Sequence, residues 1–497
     1  MIGIVGVALA DFRERSRTFG IFVVVVAALQ LGFLFVPDAS ATYATVNLGG
    51  WRGIYNSAWM GATTAMLTVT LLPLAGFFLV RPALYRDVLL STAELVACAP
   101  IGRVRFVLGK FVSDIALLAG VGLLLIVAAV AMQFVRNESR ALDIAAYVLP
   151  YVLVTLPTCF VVAAGAIVID SIRQLRGMVG GVVWFVVWNM LLVIPVQLTE
   201  ARGGIASFDP LGFTTISDAL LGGLHAAAPS ANLQHSLSVG VVSNVNHSQT
   251  YRFDGIPWTW VTVLPRVAWA AAAVLACLLV APFALDFSAK IVRRRNDERL
   301  ARLAARLPLP PIGRAELAQA FGIAGTWWAL GAIALAVLAL VVPGEALARG
   351  VAPAIWFWPV GSIAALSVLD ARTGFDDVLR ATPTPAYVRV LWRCLAALAL
   401  TVVPIAALAV RYGSDGLTIV TIAFSGVAVG IALGTFTRSP IAFEAFALMA
   451  WYLGPVNRVP FFDPANAIRT PLTTTATALI VGFAALTAAA NRSARRN

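Results

Sequence analysis

The sequence predicts an all-α, polytopic membrane protein with about twelve transmembrane helices in two six-helix halves. Hydrophobic residues make up 60% of the 497 residues and charged residues only 12%, about half the charged share of a soluble domain. The apolar residues gather into successive runs, each compatible with a bilayer crossing of about 20 residues. A polar motif also recurs 283 residues later in the chain, which indicates two similar halves in tandem.

The apolar runs place the predicted spans in order along the chain. The twelve predicted spans are 21–36, 61–80, 106–134, 144–169, 178–198, 259–287, 322–342, 351–368, 388–410, 417–436, 441–454 and 473–490. A basic, amphipathic segment, ADFRERSRTFG, precedes the first span, and its counterpart Arg314–Phe321 precedes the seventh. We expect both segments to form helices along the membrane surface.

The distribution of positive charge predicts the orientation of these spans. With both termini in the cytoplasm, 26 of the 36 Lys and Arg residues fall on the cytoplasmic side and 10 on the outer side. Cytoplasmic loops of membrane proteins carry this excess. We therefore attribute the net charge of +12 to basic residues in cytoplasmic loops, and we expect no nucleic-acid partner. We expect a multi-pass protein of a cell membrane, favouring a bacterial inner or plasma membrane.

The chain divides into three predicted regions. Residues 1–288 form the first six-span half, which includes a long outer loop at 199–258. Residues 289–314 are a basic linker ending in a proline cluster, predicted to be a solvated cytoplasmic tether. Residues 315–497 form the second half, whose corresponding outer loop is short. We therefore expect an outer cap built by the first half alone.

Two polar segments lie between the second and third spans of each half. We call them polar segment 1, about 84–99, and polar segment 2, about 370–382. They share the pattern D-x6-[ED]-x5-P-x7-L-x-[KR], whose members are Asp87, Glu94, Pro100, Leu108 and Lys110 in the first copy and Asp370, Asp377, Pro383, Leu391 and Arg393 in the second. The two acids stand seven residues apart, so they share one helical face, and each proline ends its helix.

Several kinds of chemistry find no support in the sequence. The nearest phosphate-loop pattern, Gly102–Phe111, has its glycines two residues too far apart and Phe in place of the Mg²⁺-binding hydroxyl. His225, His235 and His247 share the outer loop, but their spacings match no standard metal site. We expect no catalytic residues, no metal and no cofactor bound by this chain.

A few ionisable residues fall inside predicted spans. They are Lys110, Asp114, Arg266 and Glu444. Intramembrane charge marks a functional site by default. The interpretation we favour is that all four lie near an interface, where water or snorkelling satisfies them.

The paired motif resembles the membrane permeases of type-2 ABC transporters. The residues that carry the likeness are AELVACAPIGRVRFVLGK in the first copy and DDVLRATPTPAYVRVLWR in the second, together with the entry segments DFRERSRTF and AELAQAF. In that family a cytoplasmic coupling helix lies between the second and third spans of a six-span unit. The second copy departs from the family pattern, because Trp392 and Arg393 replace the glycine-lysine pair.

The resemblance implies a permease, not an enzyme, that works with a separate ATPase. The chain would form the path of an exporter, and two ATPase subunits would bind ATP and Mg²⁺. The coupling residues implied are Asp87, Glu94, Pro100, Arg103, Arg105, Lys110, Asp370, Asp377, Pro383, Arg389 and Arg393. Membrane lipid and a transported substrate are the other expected partners, and peptide, antibiotic, lipid and glycan cargoes all remain open.

Two other functional classes stay open at this point. An ion-coupled secondary transporter can also have two repeated halves, but it needs buried carboxylates in its spans, which are scarce here. A membrane-embedded lipid or glycan transferase needs a polar catalytic cluster at the interface, and the sequence offers none.

Overall fold

The chain forms two compact units, Met1–Ser288 (unit 1) and Ala289–Asn497 (unit 2). The computed structural model describes residues 3–17, 19–38, 43–81, 101–172, 175, 178–201, 209–229, 237–243, 249–284, 298–373, 384–452, 454 and 471–494. Most of these residues are helical, as the composition predicts. Polar segment 1 and most of polar segment 2 lie outside the described residues.

Unit 1 contains eight described helices. They are α1 (Ile4–Ser16), α2 (Phe19–Leu34), α3 (Ser57–Val80), α4 (Arg103–Arg136), α5 (Ile144–Ser171), α6 (Met178–Ala201), α7 (Phe213–Ala227) and α8 (Trp260–Ala284). α5 includes a π-helical turn, Tyr151–Thr155, directly after Pro150. A proline inside a helix removes one backbone donor, and such turns absorb the change.

Helix α3 is the central helix of unit 1. It packs on α4, α5 and α6, and most of its side chains are buried. Pro73 interrupts its backbone hydrogen bonds, and two tryptophans of α6 reach carbonyls beside the break. Trp184 Nε1 donates to Pro73 O at 2.7 Å, and Trp188 Nε1 donates to Thr70 O at 3.0 Å.

A four-stranded sheet lies beside the N-terminal end of α3, so the all-α prediction is incomplete. Its strands are β1 (Tyr43–Leu48), β2 (Trp51–Gly53), β3 (Leu237–Ser243) and β4 (Gln249–Tyr251), in the order β3-β1-β2-β4. β1 pairs antiparallel with β2 and β3, and β2 pairs parallel with β4. The long 199–258 loop thus forms a sheet with the loop after the first predicted span, which the sequence analysis did not anticipate.

This sheet and α7 form the cap, which is fixed to the helices by polar and aromatic contacts. Arg52 of β2 binds both carboxylate oxygens of Glu138, at 2.9 and 2.7 Å. Trp59 of α3 makes edge contacts with Tyr251 and Phe253, with ring centroids 5.7 and 6.3 Å apart. The cap and α3 therefore pack as one body.

Unit 2 contains nine described α-helices of more than three residues. They are α9 (Glu298–Ala305), α10 (Pro311–Ala324), α11 (Thr326–Val341), α12 (Ala352–Ser367), α13 (Leu369–Thr373), α14 (Ala386–Tyr412), α15 (Gly416–Thr437), α16 (Pro440–Trp451) and α17 (Pro471–Ala494). The short helical turns Gly344–Ala346 and Leu347–Val351 precede α12. An apolar cluster that includes Ala339, Leu408 and Ile419 joins α11, α14 and α15.

The helices of the two units pack in the same pairs. In unit 1, α4 contacts α1, α2, α5 and α8, and α5 contacts α3, α6 and α8. In unit 2, α14 contacts α10, α11, α15 and α17, and α15 contacts α12, α16 and α17. The contacts of α14 and α15 thus match those of α4 and α5, the helices at the corresponding places in unit 1.

Seven described stretches are long and apolar enough to cross a membrane. They are Ser57–Val80, Arg103–Arg136, Ile144–Ser171, Val179–Gln197, Trp260–Phe283, Ala386–Thr437 and Thr473–Ala494. The bent pair α10 and α11 makes an eighth if it counts as one span, and its two helices meet at 84°. Ala386–Thr437 contains both α14 and α15, which pack on each other. The protein is therefore a helical, multi-pass membrane protein.

The linker is more structured than a solvated tether. Residues 298–305 form α9, which packs on α10 and buries Ala304. The basic residues at 290–295 lie outside the described part of the chain. The prediction of an unpacked tether was thus wrong for α9, because its small and apolar residues provide a contact face that the charge count concealed.

Candidate coupling site

A buried polar cluster joins α1 to α4. We call it joint 1 and define it as Asp11, Arg15, Lys110, Ser113 and Asp114. Lys110 Nζ lies 2.6 Å from Asp11 Oδ1, Ser113 Oγ donates to Asp11 Oδ2 at 2.7 Å, and Arg15 Nε lies 3.0 Å from the same oxygen. All five side chains are almost completely buried. Asp11 is therefore the acceptor that connects the two helices.

Arg15 extends joint 1 to the helices on both sides of polar segment 1. Its Nη1 atom lies 2.8 Å from Asp114 Oδ1 in α4, which follows the segment. The same atom donates to Val80 O at 3.4 Å, at the end of α3, which precedes the segment. Joint 1 thus ties α1 to both flanks of polar segment 1.

Helical spacing explains why these residues meet. Asp11 and Arg15 stand four apart on one face of α1, and Lys110, Ser113 and Asp114 stand three and four apart on one face of α4. Gly109 lets the helices approach, since a Cβ atom there would lie 2.6 Å from Val7 Cβ. The sequence therefore encodes two complementary polar stripes and a small residue between them.

The charges of joint 1 hold Asp11 in its ionised form. Burial by itself raises the pKa of Asp11, but the nearby charges of Arg15 and Lys110 and hydrogen bonds from Lys110 and Ser113 lower it. The net result is a pKa below the ordinary value of 3.8. Asp11 therefore stays a carboxylate at physiological pH and accepts from groups of both α1 and α4.

A second cluster occupies the matching place in unit 2. We call it joint 2 and define it as Glu316 of α10, Asp370 of α13 and Arg393 of α14. Arg393 binds the two oxygens of Glu316 at 3.0 and 2.7 Å and the two oxygens of Asp370 at 2.6 and 2.8 Å. Joint 2 ties α10 to the first residues of polar segment 2 and to the helix that follows it.

The close approach of the helices is also repeated, with the large and small residues exchanged. In unit 2 the glycine is Gly313 of α10, where a Cβ atom would lie 2.6 Å from a ring atom of Trp392 in α14. In unit 1 the glycine is Gly109 of α4. Trp392 and Arg393 thus stand where Gly109 and Lys110 stand in unit 1, and the glycine of the close approach lies on the partner helix instead.

Unit 2 lacks both members of the second ion pair of joint 1. Ala397 follows Asp114 by 283 residues, the repeat distance, and Ala320 follows Glu316 by four residues, as Arg15 follows Asp11. Both alanines are fully buried. Removing only one partner would leave an isolated buried charge at a cost of about 3–5 kcal/mol. Because both members of the pair are replaced by alanine, joint 2 has fewer charges than joint 1. No isolated buried charge remains at positions 320 and 397.

The remaining predicted coupling residues fall into two groups. Asp87, Glu94, Pro100, Asp377 and Pro383 lie outside the described residues. Arg103 and Arg105 are exposed at the start of α4, and Arg103 Nη1 donates to Pro282 O at 2.8 Å. Arg389 is half-buried, and its Nη1 donates to Thr384 O at 3.3 Å. Lys110 and Arg393 lie in joints 1 and 2.

The intramembrane charges are buried inside the protein, which contradicts the expectation that water or snorkelling satisfies them. Their position near a membrane interface stays a prediction. Lys110 and Asp114 belong to joint 1. Arg266 of α8 is 2% exposed, and its Nη2 lies 2.9 Å from Asp209 Oδ2 and donates to Thr215 Oγ1 at 2.6 Å. Glu444 of α16 is 9% exposed. Packing between helices, and not snorkelling, determines the environment of these side chains.

Sequence reasoning missed four charged residues of these clusters. They are Asp11, Arg15, Asp209 and Glu316. The four-residue spacing of Asp11 and Arg15 on an apolar helix was the available signal for joint 1. Among the described residues, no group of three or more His, Cys, Asp or Glu side chains could hold a metal ion, and His235 and His247 lie outside that part of the chain.

Comparison with known proteins adds no identification. No protein family, no characterised protein and no solved structure matches this chain. The geometry therefore carries the functional interpretation. In each unit, one ionic cluster connects α1 or α10 to the helix that follows a polar segment. Joint 1 also reaches the end of α3 before its segment, and joint 2 reaches the first residues of its segment. Such a cluster can pass a displacement of the polar segment to several helices at once.

Proposed function

We propose that this chain is the membrane permease subunit of an ATP-driven exporter of the type-2 ABC class, with ATP hydrolysed by a separate subunit. The observation that carries the proposal is the position of joints 1 and 2. Joint 1 connects α1 to α4, which follows polar segment 1, through Asp11 and Lys110, and joint 2 connects α10 to α14, which follows polar segment 2, through Glu316 and Arg393. Arg15 also bonds to the end of α3, before polar segment 1, and Arg393 also binds Asp370 at the start of polar segment 2.

The joints give a physical route for coupling. An ATPase that moves a polar segment pushes on helices that the ion pairs hold together. Separating one partner of a buried pair costs about 3–5 kcal/mol, so the joint moves as a unit and does not slip. In unit 1 the displacement reaches α3 and α4 together, because Arg15 bonds to Val80 and Asp114. α3 in turn contacts the cap through Trp59, so a movement of α3 also moves the cap.

The proposed architecture has twelve crossings, with both termini and both polar segments in the cytoplasm. A described helix or helix pair coincides with each of the twelve predicted apolar runs. The matching packing pairs of the two units support a fused pair of permease halves. The 84° bend between α10 and α11 suits a helix that lies along the membrane surface before the next helix enters it. The cap then faces the outer side.

Coexpression with an ABC-type ATPase encoded next to this gene tests the proposal. We expect the two proteins to purify together and the ATPase to hydrolyse ATP faster in the complex than alone. Lys110→Met should keep the association but reduce the stimulation, because it weakens joint 1 without changing a partner surface. Arg140→Glu is the matched control, since Arg140 is exposed beyond the opposite end of α4. A chain that never associates with the ATPase would contradict the proposal.

An ion-coupled secondary transporter is the second candidate, and one observation favours it. Asp114 is a fully buried carboxylate inside a candidate span, and its Oδ2 atom accepts no hydrogen bond within the described part of the chain. A proton could titrate such a group. The same purified chain distinguishes the candidates. Conformational change driven by a pH gradient without any ATPase supports the secondary transporter, and change driven only by ATP with the ATPase supports the permease.

A further inference from the structure

Helix α9 presents an exposed face that packing inside unit 2 does not explain. The helix spans Glu298–Ala305, and Arg306 N and Leu307 N donate to Leu303 O and Ala304 O, so the turn continues to residue 307. Leu303 is 60% exposed and Leu307 is 45% exposed, whereas Ala304 is 5% exposed. Two leucines one turn apart therefore lie open beside a buried contact.

The helical positions of these residues define three directions around α9. At about 100° per residue, Leu303 and Leu307 lie on one side and Ala304 lies roughly a quarter-turn away from them. Arg302 and Arg306, also exposed, point away from Ala304, and exposed Ala305 lies opposite the leucines. Because α9 packs on α10, the leucine face is roughly perpendicular to the contact between these two helices.

The neighbouring helices indicate what this face meets. α10 turns by 84° into α11, so α10 lies along the membrane surface if α11 enters the bilayer. A helix packed beside α10 at the same level would direct one face toward the lipid and the opposite face toward water. An interfacial amphipathic helix has its leucines on the face toward the lipid and its arginines beside them, at the level of the headgroups. Basic residues at this level attract anionic headgroups.

We infer that α9 is a membrane-surface helix that binds anionic lipid through Arg302 and Arg306 and inserts Leu303 and Leu307 into the headgroup–acyl boundary. The occupant of the exposed face is therefore the bilayer itself and not a protein. The joints described above contribute nothing to this inference, which depends only on α9, α10 and α11. A lipid anchor at this place would make the start of unit 2 sensitive to the anionic lipid content of the membrane.

Fluorophores attached at two opposite positions of α9 test the inference in the full-length protein. The native cysteines are replaced, and Leu303→Cys or Ala305→Cys is labelled and reconstituted into nanodiscs of phosphatidylcholine, with or without phosphatidylglycerol. We expect nitroxide-labelled lipid to quench the probe at 303 and spare the probe at 305, and aqueous iodide to do the reverse. Phosphatidylglycerol should increase the lipid quenching at 303.

Charge reversal supplies the second arm of this experiment. Arg302→Glu combined with Arg306→Glu should reduce the lipid quenching at 303 severalfold in the anionic nanodiscs, because two exposed cations become anions that the headgroups repel. Equal iodide quenching at 303 and 305 would mean that α9 is solvated, and the inference fails. A probe at 303 that neither lipid nor iodide quenches would mean that protein covers this face, which also overturns it.

Discussion

Gly313 of α10 lies directly against Trp392 of α14, where no side chain larger than hydrogen fits without movement. A Cβ atom at Gly313 would come 2.6, 2.7 and 3.0 Å from three ring atoms of Trp392. In unit 1 the same approach is made by Gly109 against Val7. The helix that carries the glycine has changed between the units, but the contact that aligns each joint is present in both.

Substitution of this glycine should therefore destabilise the protein. Gly313→Ala forces the indole or the helix to shift, and we expect the free energy of unfolding to fall by about 1–3 kcal/mol. Gly426→Ala in α15 is the matched control, because no heavy atom lies within 4 Å of a Cβ added there. Alanine in an open helical position should stabilise by up to about 1 kcal/mol. Thermal unfolding in detergent measures both, and equal effects would contradict the packing.

Reversing either charge of the Asp11–Lys110 ion pair should destabilise the protein, and exchanging both charges should restore part of the stability. Lys110→Asp places two carboxylates together in a buried site and should cost about 3–5 kcal/mol of stability. Asp11→Lys should cost a similar amount. The double variant, which exchanges the two charges, should recover part of the loss, since opposite charges again face each other. Single and double variants that unfold at the same temperature would mean that the two side chains do not interact.

Joint 2 should require arginine and not merely a positive charge. Arg393 uses its planar guanidinium to bind two carboxylates, Glu316 and Asp370, and a lysine ammonium cannot span both in this way. We expect Arg393→Lys to leave the ATPase bound but to reduce the stimulation of its ATP hydrolysis by the chain. Arg411→Lys, at the other end of α14, is the control and should have no effect. Full stimulation in Arg393→Lys would remove joint 2 from the coupling route.

Membrane orientation can be tested with a probe on each side. Asp254 lies beyond β4 in the cap and is highly exposed, with 87% of its side-chain surface accessible, and Ala305 is exposed in α9. In a cysteine-free background, an impermeant thiol reagent should label Asp254→Cys in intact cells. It should label Ala305→Cys only after the membrane is permeabilised. The opposite pattern would place the polar segments outside the cell and exclude a cytoplasmic ATPase.

The local sequence pattern predicted the positions of the helices well and the tertiary contacts between them poorly. The apolar runs located α3, α4 and α5 to within a few residues, because a bilayer crossing needs a continuous apolar stretch. The motif also located Lys110 and Arg393. It did not predict their partners, since Asp11 lies 99 residues from Lys110 and Glu316 lies 77 residues from Arg393. Those contacts depend on how whole helices pack.

The sheet of the cap escaped prediction for a similar reason. β2 and β4 have only three residues each, and the pairing brings residues 43–53 together with residues 237–251. No short segment contains both partners, so periodicity within either loop is too weak to indicate a strand. Arg266 was recognised as a polar residue in a span, but Asp209 lies 57 residues before it. Its pairing emerges only when the cap folds onto α8.

The stoichiometry of the assembled complex tests the central claim most directly. A chain with one joint and one polar segment in each unit should bind two ATPase subunits, one for each half, and should itself be present once. Native mass spectrometry of the complex purified with its ATPase reads this composition without knowledge of the cargo. We predict one copy of this chain and two ATPase subunits. A particle with two copies of this chain, or with a single ATPase, would contradict the account.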